Sequence, residues 1–480
     1  MTALVWYRND LRTLFHSPLS AALKNHESVR ALYILSEGQW DIHDVAPVRR
    51  WYVLHSLREL GQSLAAMGVT LDVVVANTFS EVGAQLERYV IANKITTIYC
   101  NREYPLNEIQ RDRDVATRLS ALDVSIQGFD DGMVVPPKVL KTNQGGHYTI
   151  FTPYKRKWLQ YLIDEPQQSF KVSSTGADKS TPSFSCEVLD NAIRNNVVPE
   201  ALTRHWTPGE SAAQSMLASF IESRKIEGYQ QQRDFPAIDG TSMLSTALSA
   251  GTISAHQCVQ MAKQCSGVSS AQQGVQTWIS ELCWRDFYRQ VMANHSRLAK
   301  GEPFRPETRF IQWSRDVGEF NTWCEGRTGY PLVDAAMRQL VATGWMHNRL
   351  RMVVAMFLTK QLFIDWRWGE TFFMRHLIDG DFAANNGGWQ WSASTGTDAV
   401  PYFRVFNPVR QGQRFDPDGV FIKQWVPELA HLSKKFIHEP WKSPESVSDY
   451  PTPIVSLVGV KENVERAFRA ARDLAKTELI

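Results

Sequence analysis

Apolar residues in the first 130 positions fall into short runs at 4–7, 29–35, 71–75, 95–99 and 124–129. Each run is too short for a helix and is bounded by polar or turn-forming residues, so each reads as a buried strand. Between them, the stretches 47–67, 79–93 and 107–122 place apolar residues at three- and four-residue steps, the spacing of a helix with one buried face. Alternation of this kind predicts a doubly wound, Rossmann-like parallel sheet covered by helices. The turn after the first run, Arg8-Asn9-Asp10-Leu11-Arg12, carries neither G-x-G-x-x-G nor G-x-x-x-x-G-K-[ST]. The sheet is therefore predicted without a standard dinucleotide or phosphate-loop site. Residues 163–205 are rich in Ser, Pro, Thr, Asp and Asn and weakly periodic, which marks a domain boundary. Beyond them helical periodicity dominates, at 211–226, 254–263, 275–294, 331–342, 347–362, 369–378 and 460–479. The predicted layout is an α/β domain over 1–130, a linker over 131–205 and an all-α domain over 206–480.

Composition narrows the class. The chain has 480 residues, 43% hydrophobic and 21% charged, enough to build more than one core and incompatible with bulk disorder. Its net charge is only +2, so a polyanionic partner must meet a local basic patch. Six cysteines show no C-x-x-C pair and no zinc spacing, which predicts no metal, no disulfide framework and a reducing cytoplasm. The N-terminus enters a strand pattern at once, and the longest apolar run, 352–358, is far short of the ~20 residues a membrane span requires. A soluble, cytoplasmic protein is expected. Eleven of the 16 tryptophans lie between Trp278 and Trp441, which places any aromatic chemistry in the helical half.

Four segments there carry candidate chemistry. Trp278, Glu281, Trp284, Arg285 and Tyr288 recur along one helical stripe. The stripe reads either as an amphipathic face with an ion pair or as a wall for a flat aromatic ligand. Gly344-Trp345-Met346-His347-Asn348-Arg349-Leu350-Arg351-Met352 has the same mixed character, with Met352 open to core filling or to soft contact with a ring. Asp379 to Trp391 reads as a turn, from its Asn-Gly and Gly-Gly steps, or as a site where backbone approaches a ligand. Gly240-Thr241-Ser242-Met243-Leu244-Ser245 fits a plain helix cap or an anion cradle.

Taken in order, these segments resemble the photolyase/cryptochrome flavoprotein family, most closely the bacterial class I cyclobutane pyrimidine dimer photolyases. The likeness begins at Leu4-Val5-Trp6-Tyr7-Arg8-Asn9-Asp10-Leu11-Arg12 and is densest from Tyr229 to Pro408. It implies a light-driven enzyme that repairs UV-damaged DNA by electron transfer from reduced FAD to a flipped-out dimer. Tyr229, Thr241, Ser242, Leu244 and Ser245 would hold the FAD phosphates and ribityl chain. Trp278, Asn348, Arg351, Asp379, Asp381 and Asn385 would surround its ring system. Glu281 would hydrogen-bond the dimer, Trp284 and Trp391 would wedge against its bases, and Asn348 and Met352 would face it. Arg233, Arg285, Arg349 and Arg404 would grip the DNA backbone, extended by Arg410 and Arg414. Trp389, Trp366 and Trp313 match the family's electron-transfer chain. Asn107, Glu108 and Lys300 occupy positions matching a folate antenna, 5,10-methenyltetrahydrofolate. A monomer is expected.

Two departures from the family pattern stand out. Thr13-Leu14-Phe15-His16-Ser17-Pro18 replaces the usual acidic residue and Asn, and Met243 stands where Arg is common. The rival readings are a blue-light sensor of the same fold, repair of six-four photoproducts and a small-molecule flavin oxidoreductase. Asn348 after His347, in place of a second His, favours cyclobutane dimers, and the sequence lacks a nicotinamide site.

Overall fold

A computed structural model describes residues 2–164, 184–265, 272–445 and 447–478. Five strands form one wholly parallel sheet: β1 (Thr2–Tyr7), β2 (Ser28–Leu35), β3 (Thr70–Val75), β4 (Ile95–Asn101) and β5 (Ser125–Phe129), in the order β3-β2-β1-β4-β5. Central β1 is buried from Ala3 to Tyr7, which is why its sequence is continuously apolar rather than alternating. Leu4, Trp6, Leu32, Ile34 and Ile98 form a core with Val82 and Leu86 of the helix Phe79–Ala92. The expected doubly wound sheet is present, and its strand order reverses between β1 and β4.

The chain divides into two compact units. The first comprises Met1–Gly228, Ser242–Ser296 and Ile378–Gly380, and the second comprises Tyr229–Thr241, Arg297–Leu377 and Asp381–Ile480. The first unit holds the sheet and also the helices Phe151–Asp164 and Gln272–Asn294. Part of the expected linker, 165–183, lies outside the described residues; the stretch after it contains the helix Glu187–Asn195, which buries Leu189 and Ala192. Two buried positions are too few to leave a readable period.

The second unit is helical, with a core that includes Trp323, Met337, Leu350, Val354, Trp366 and Trp389. Its helices include Pro331–Thr343, Asn348–Met356, Trp366–His376, Phe382–Ala393, Pro408–Phe415 and Val460–Thr477. The helix expected over 347–362 gives way after Met356 to a π-helical stretch, Phe357–Gln361. In the first unit the pattern expected over 211–226 breaks after Glu222, and Arg224 adopts a left-handed φ of 60°. The Asn-Gly and Gly-Gly steps that suggested a turn sit inside the helix Phe382–Ala393. Asp381 caps that helix, its Oδ1 accepting from the Ala384 N–H at 3.0 Å. Buried Asn386, Trp389, Gln390 and Ala393 anchor one face, so tertiary packing overrides the glycines. Among the described residues no helix is long and apolar enough to cross a membrane.

Candidate active site

The predicted site residues divide between the two units. The first unit carries Ser242, Leu244, Ser245, Trp278, Glu281, Trp284, Arg285 and Asp379, with Asn107 and Glu108; the others fall in the second.

In the first unit, helix Gln272–Asn294 buries Trp278, whose Nε1 donates to Ser242 Oγ at 3.3 Å. Two residues assigned to the cofactor are thus joined directly. Met243, next to Ser242, has a left-handed φ of 55°, so this departure from the family pattern sits at a strained backbone position. One face of the Trp284 indole is stacked on Phe151, with centroids 3.5 Å apart and planes 8° from parallel. Arg285 is tied inward: Nη1 donates to the Gly132 carbonyl at 2.7 Å and Nη2 to the Leu248 carbonyl at 3.1 Å. Its neighbour Asp286 is fully buried, and one oxygen accepts from the N–H groups of Val134 and Val135 and from Trp158 Nε1, at 2.9 to 3.0 Å. Burial pushes its pKa up against those donors and the Arg285 charge. Asn107 lies within 2.8 Å of His43 Nε2, and burial together with the Glu103 charge pushes Glu108 up to about 7.

The other departure, at Phe15-His16, lies beside the C-terminal edge of the sheet. Buried Asp10 meets His16 Nε2 at 2.9 Å and accepts from Asn101 Nδ2 and the Arg8 N–H at 2.7 Å each. Arg8 Nη1 meets both oxygens of Asp112 at 2.9 Å, and Arg111 bridges Asp112 and Glu103. The crevice at which doubly wound folds usually bind nucleotides is lined by its own ion pairs.

In the second unit, Asp234 binds Arg349 at 2.9 Å and lies 3.9 Å from Arg233, whose guanidinium covers the Tyr229 ring at 5.4 Å. His347 caps helix Asn348–Met356, Nδ1 accepting from the Arg349 N–H at 3.2 Å. Burial lowers its pKa to about 4, against the pull of the Asp234 charge and with the help of Arg351, Arg349 and Arg233. The ring is neutral with its proton on Nε2, which is buried and has no partner among the described residues. Arg351 Nε donates to the Met346 carbonyl at 2.8 Å, Arg349 Nη1 lies 3.8 Å from Met352 sulfur, and Asn348 is exposed.

Asn385 Nδ2 donates to the Glu370 carbonyl at 3.0 Å, while the Glu370 side chain accepts from Asn386 Nδ2 at 2.7 Å. Burial pushes the Glu370 carboxyl up to about 7, against the pull of Asn386. At Gly388, a Cβ would meet nothing within 4 Å. Trp389 and Trp366 are buried; Trp313, half-buried, packs on Phe363 at 4.9 Å. Trp391 is half-buried, and Arg404, Arg410, Arg414 and Lys300 are exposed. Sequence reasoning passed over Asp234, His347 and Glu370 as site residues. Only His347 left a local signal, as the cap residue of its motif.

Residues 3–171 match the family model described as DNA photolyase, and residues 278–470 match the FAD binding domain of DNA photolyase. A deoxyribodipyrimidine photo-lyase of Vibrio cholerae is 43% identical over 470 residues, spanning 98% of this chain and 99% of that protein. The chain belongs to the DNA photolyase family. Among solved structures similar to this family member, a class III photolyase from Agrobacterium tumefaciens has a TM-score of 0.86 at 32% identity, covering 98% of both chains. A cryptochrome of Synechocystis has a TM-score of 0.82 at 28% identity, covering 97% of this chain and 99% of its own.

Proposed function

We infer that the chain is a light-driven DNA repair enzyme that splits cyclobutane pyrimidine dimers. The observation that carries this reading is the near full-length likeness to a deoxyribodipyrimidine photo-lyase. When bound in its reduced form, FAD supplies a photochemical one-electron donor, and the electron returns once the cyclobutane ring has opened, leaving no net redox change.

Two features of the second unit fit such a cofactor. Open space above Gly388 admits a flat group against the helix backbone. Asn385, with Nδ2 held by the Glu370 carbonyl, has Oδ1 left to accept from a ring N–H, the form a reduced flavin presents. Tyr229, Thr241, Ser242, Leu244 and Ser245 would take the phosphates and ribityl chain, and Trp278, Asn348, Arg351, Asp379 and Asp381 would surround the rings. Asn385→Ala is expected to weaken the reduced state; an unchanged, stable reduced flavin would refute that role.

On the substrate side, Glu281 would hydrogen-bond the dimer. Trp391 and Trp284, whose indole also stacks on Phe151 and on Tyr288, would wedge against the flipped bases, a contact that suits indole. Asn348 and Met352 would border the lesion. Arg233, Arg285, Arg349 and Arg404 would grip the phosphates, extended by Arg410 and Arg414, although Arg285 also donates to the Gly132 and Leu248 carbonyls and Arg349 also pairs with Asp234. With about four phosphates neutralised, log affinity falls with log salt at a slope of roughly −3.6. The proposed antenna is a folate held by Asn107, Glu108 and Lys300, and the proposed state is a cytoplasmic monomer.

The test is blue light on the purified, reduced protein with DNA bearing cyclobutane dimers, scored as dimers remaining against a dark control. Light-dependent loss is expected. A bound, photoreducible FAD with no dimer loss would favour a sensor, the reading that the cryptochrome likeness supports.

A further inference from the structure

Buried Trp389 touches two aromatic rings, Phe373 at 5.0 Å and Trp323 at 6.1 Å between centroids. Trp323, wholly buried on the helix Val317–Cys324, lies 5.8 Å from Phe320, and Phe320 lies 5.2 Å from half-buried Trp368. The row therefore runs from the helix that carries Asn385 out to solvent. It shares only Trp389 with the chain Trp389, Trp366 and Trp313.

We propose that Trp323 and Trp368 form a second electron relay, branching at Trp389 and serving flavin photoreduction in parallel with Trp366 and Trp313. The proposal rests on the flavin-dependent reading above.

Local electrostatics favour the branch. The Arg367 guanidinium lies 4.8 Å over the Trp366 ring. A cation is attracted to an electron-rich ring and repelled by one that has lost an electron. Asp365, 3.0 Å from Arg367 Nη1, offsets part of that repulsion. Trp323 instead donates Nε1–H to the Val354 carbonyl at 3.2 Å, so a carbonyl dipole faces the ring and stabilises positive charge on it. Such a dipole counts for more in a buried, low-dielectric setting. Trp389 Nε1 is buried without a partner among the described residues, so an oxidised Trp389 has no neighbour to take its proton and passes the vacancy on.

Each step moves one electron. Trp389, having given an electron to photoexcited oxidised flavin, takes one from Trp323, and Trp323 takes one from Trp368. The Phe320 ring fills the gap and is not itself oxidised. The Trp368 radical cation loses its indole proton to water. An external thiol then returns an electron and a proton to Trp368 and becomes a thiyl radical, and two such radicals, from two turnovers, combine to a disulfide.

The test uses the FAD-loaded full chain with blue light and a thiol, following flavin reduction by absorbance and tryptophan radicals by transient electron paramagnetic resonance. Trp368→Phe is expected to slow photoreduction at least about twofold. Trp313→Phe is expected to retain a measurable rate and a tryptophan radical, and the double variant to lose both, falling at least about tenfold. Should Trp368→Phe bind FAD poorly, Phe320→Leu opens the same gap and is expected to slow the reaction likewise. Trp313→Phe as inert as the double variant, or Trp368→Phe and Phe320→Leu both matching the parent, would overturn the relay. A parent protein that binds no photoreducible FAD would overturn the flavin reading beneath it, which the parent control reveals separately.

Discussion

The crevice at the ends of β1 and β4 and the helical surroundings of Phe382–Ala393 both bury ionisable side chains, but they satisfy them in opposite ways. In the crevice, charge meets charge. Burial alone would raise Asp10, yet the His16 contact and the hydrogen bonds from Arg8 and Asn101 hold it well below the usual carboxylate range. Burial opposes the charge on Arg8, and Asp112 and Glu103 more than restore it. Around Phe382–Ala393 the hydrogen-bonding partners are neutral. Glu370 is held by an amide and titrates at about 7. Lys360 donates to the Ala393 carbonyl at 3.2 Å and to Ser394 Oγ at 2.9 Å, and burial lowers it to about 7. A cluster closed by opposite charges asks nothing of a ligand, whereas one left with neutral partners stays responsive to whatever binds.

The largest expected effect breaks the closed side of this comparison. Asp10→Ala strips the acceptor from His16, Asn101 Nδ2 and the Arg8 N–H at once. Loss of one partner from a buried charged network costs about 3–5 kcal/mol. Urea denaturation of the variant measures it, and a change below ~0.5 kcal/mol would mean the crevice is not held by these pairs.

Glu370→Gln sharpens the open side. The folded pKa of Glu370 is raised from 4.5 to about 7, so the folded state holds a proton that the unfolded chain has released. Its stabilising contribution is complete below about pH 4.5 and disappears as pH rises through about 7. At about 1.36 kcal/mol per pKa unit, the decline is on the order of 3 kcal/mol. Glutamine keeps an acceptor for Asn386 and removes the titration. Stability measured at pH 5 and pH 8 should fall more steeply in the parent than in the variant; parallel losses would assign the slope to other groups.

What the sequence made legible depended on how local each cause was. The five strands were readable because a strand buried on both faces is apolar at every position, as β1 is from Ala3 to Tyr7. The helices expected over 47–67, 79–93 and 107–122 are present as Pro47–Ala66, Phe79–Ala92 and Leu106–Ser120, whereas the short helices Ser17–Asn25 and Glu37–Ile42 went unread. Pairings across long separations were not. Asp286 closes on Trp158, 128 positions earlier, and nothing near either residue announces it. Asp10 and His16 are six apart, but their burial depends on Asn101 at the far end of β4. Of the candidate site, the tryptophans and asparagines were visible as residue types, whereas the carbonyl of Glu370 that orients Asn385 was not. Backbone groups have no letter of their own.

The smallest effect tests whether the glycines in Phe382–Ala393 serve the fold or the ligand. Alanine is favoured over glycine inside a helix by about 1 kcal/mol. At Gly388 a methyl group would meet nothing within 4 Å, so packing gives no reason to refuse it. Flavin-free Gly388→Ala is therefore expected to be more stable by about 0.5–1 kcal/mol. If the open space takes the flat group of FAD, the same methyl obstructs it, and FAD affinity should drop at least about tenfold. Thermal melts of the flavin-free protein and FAD titration by fluorescence give the two numbers. A flavin-free protein that becomes less stable would show that the helix itself needs the glycine. Unchanged FAD affinity would show that the space above residue 388 belongs to something else. Only stability gained with affinity lost separates a glycine kept for a ligand from one kept for a turn.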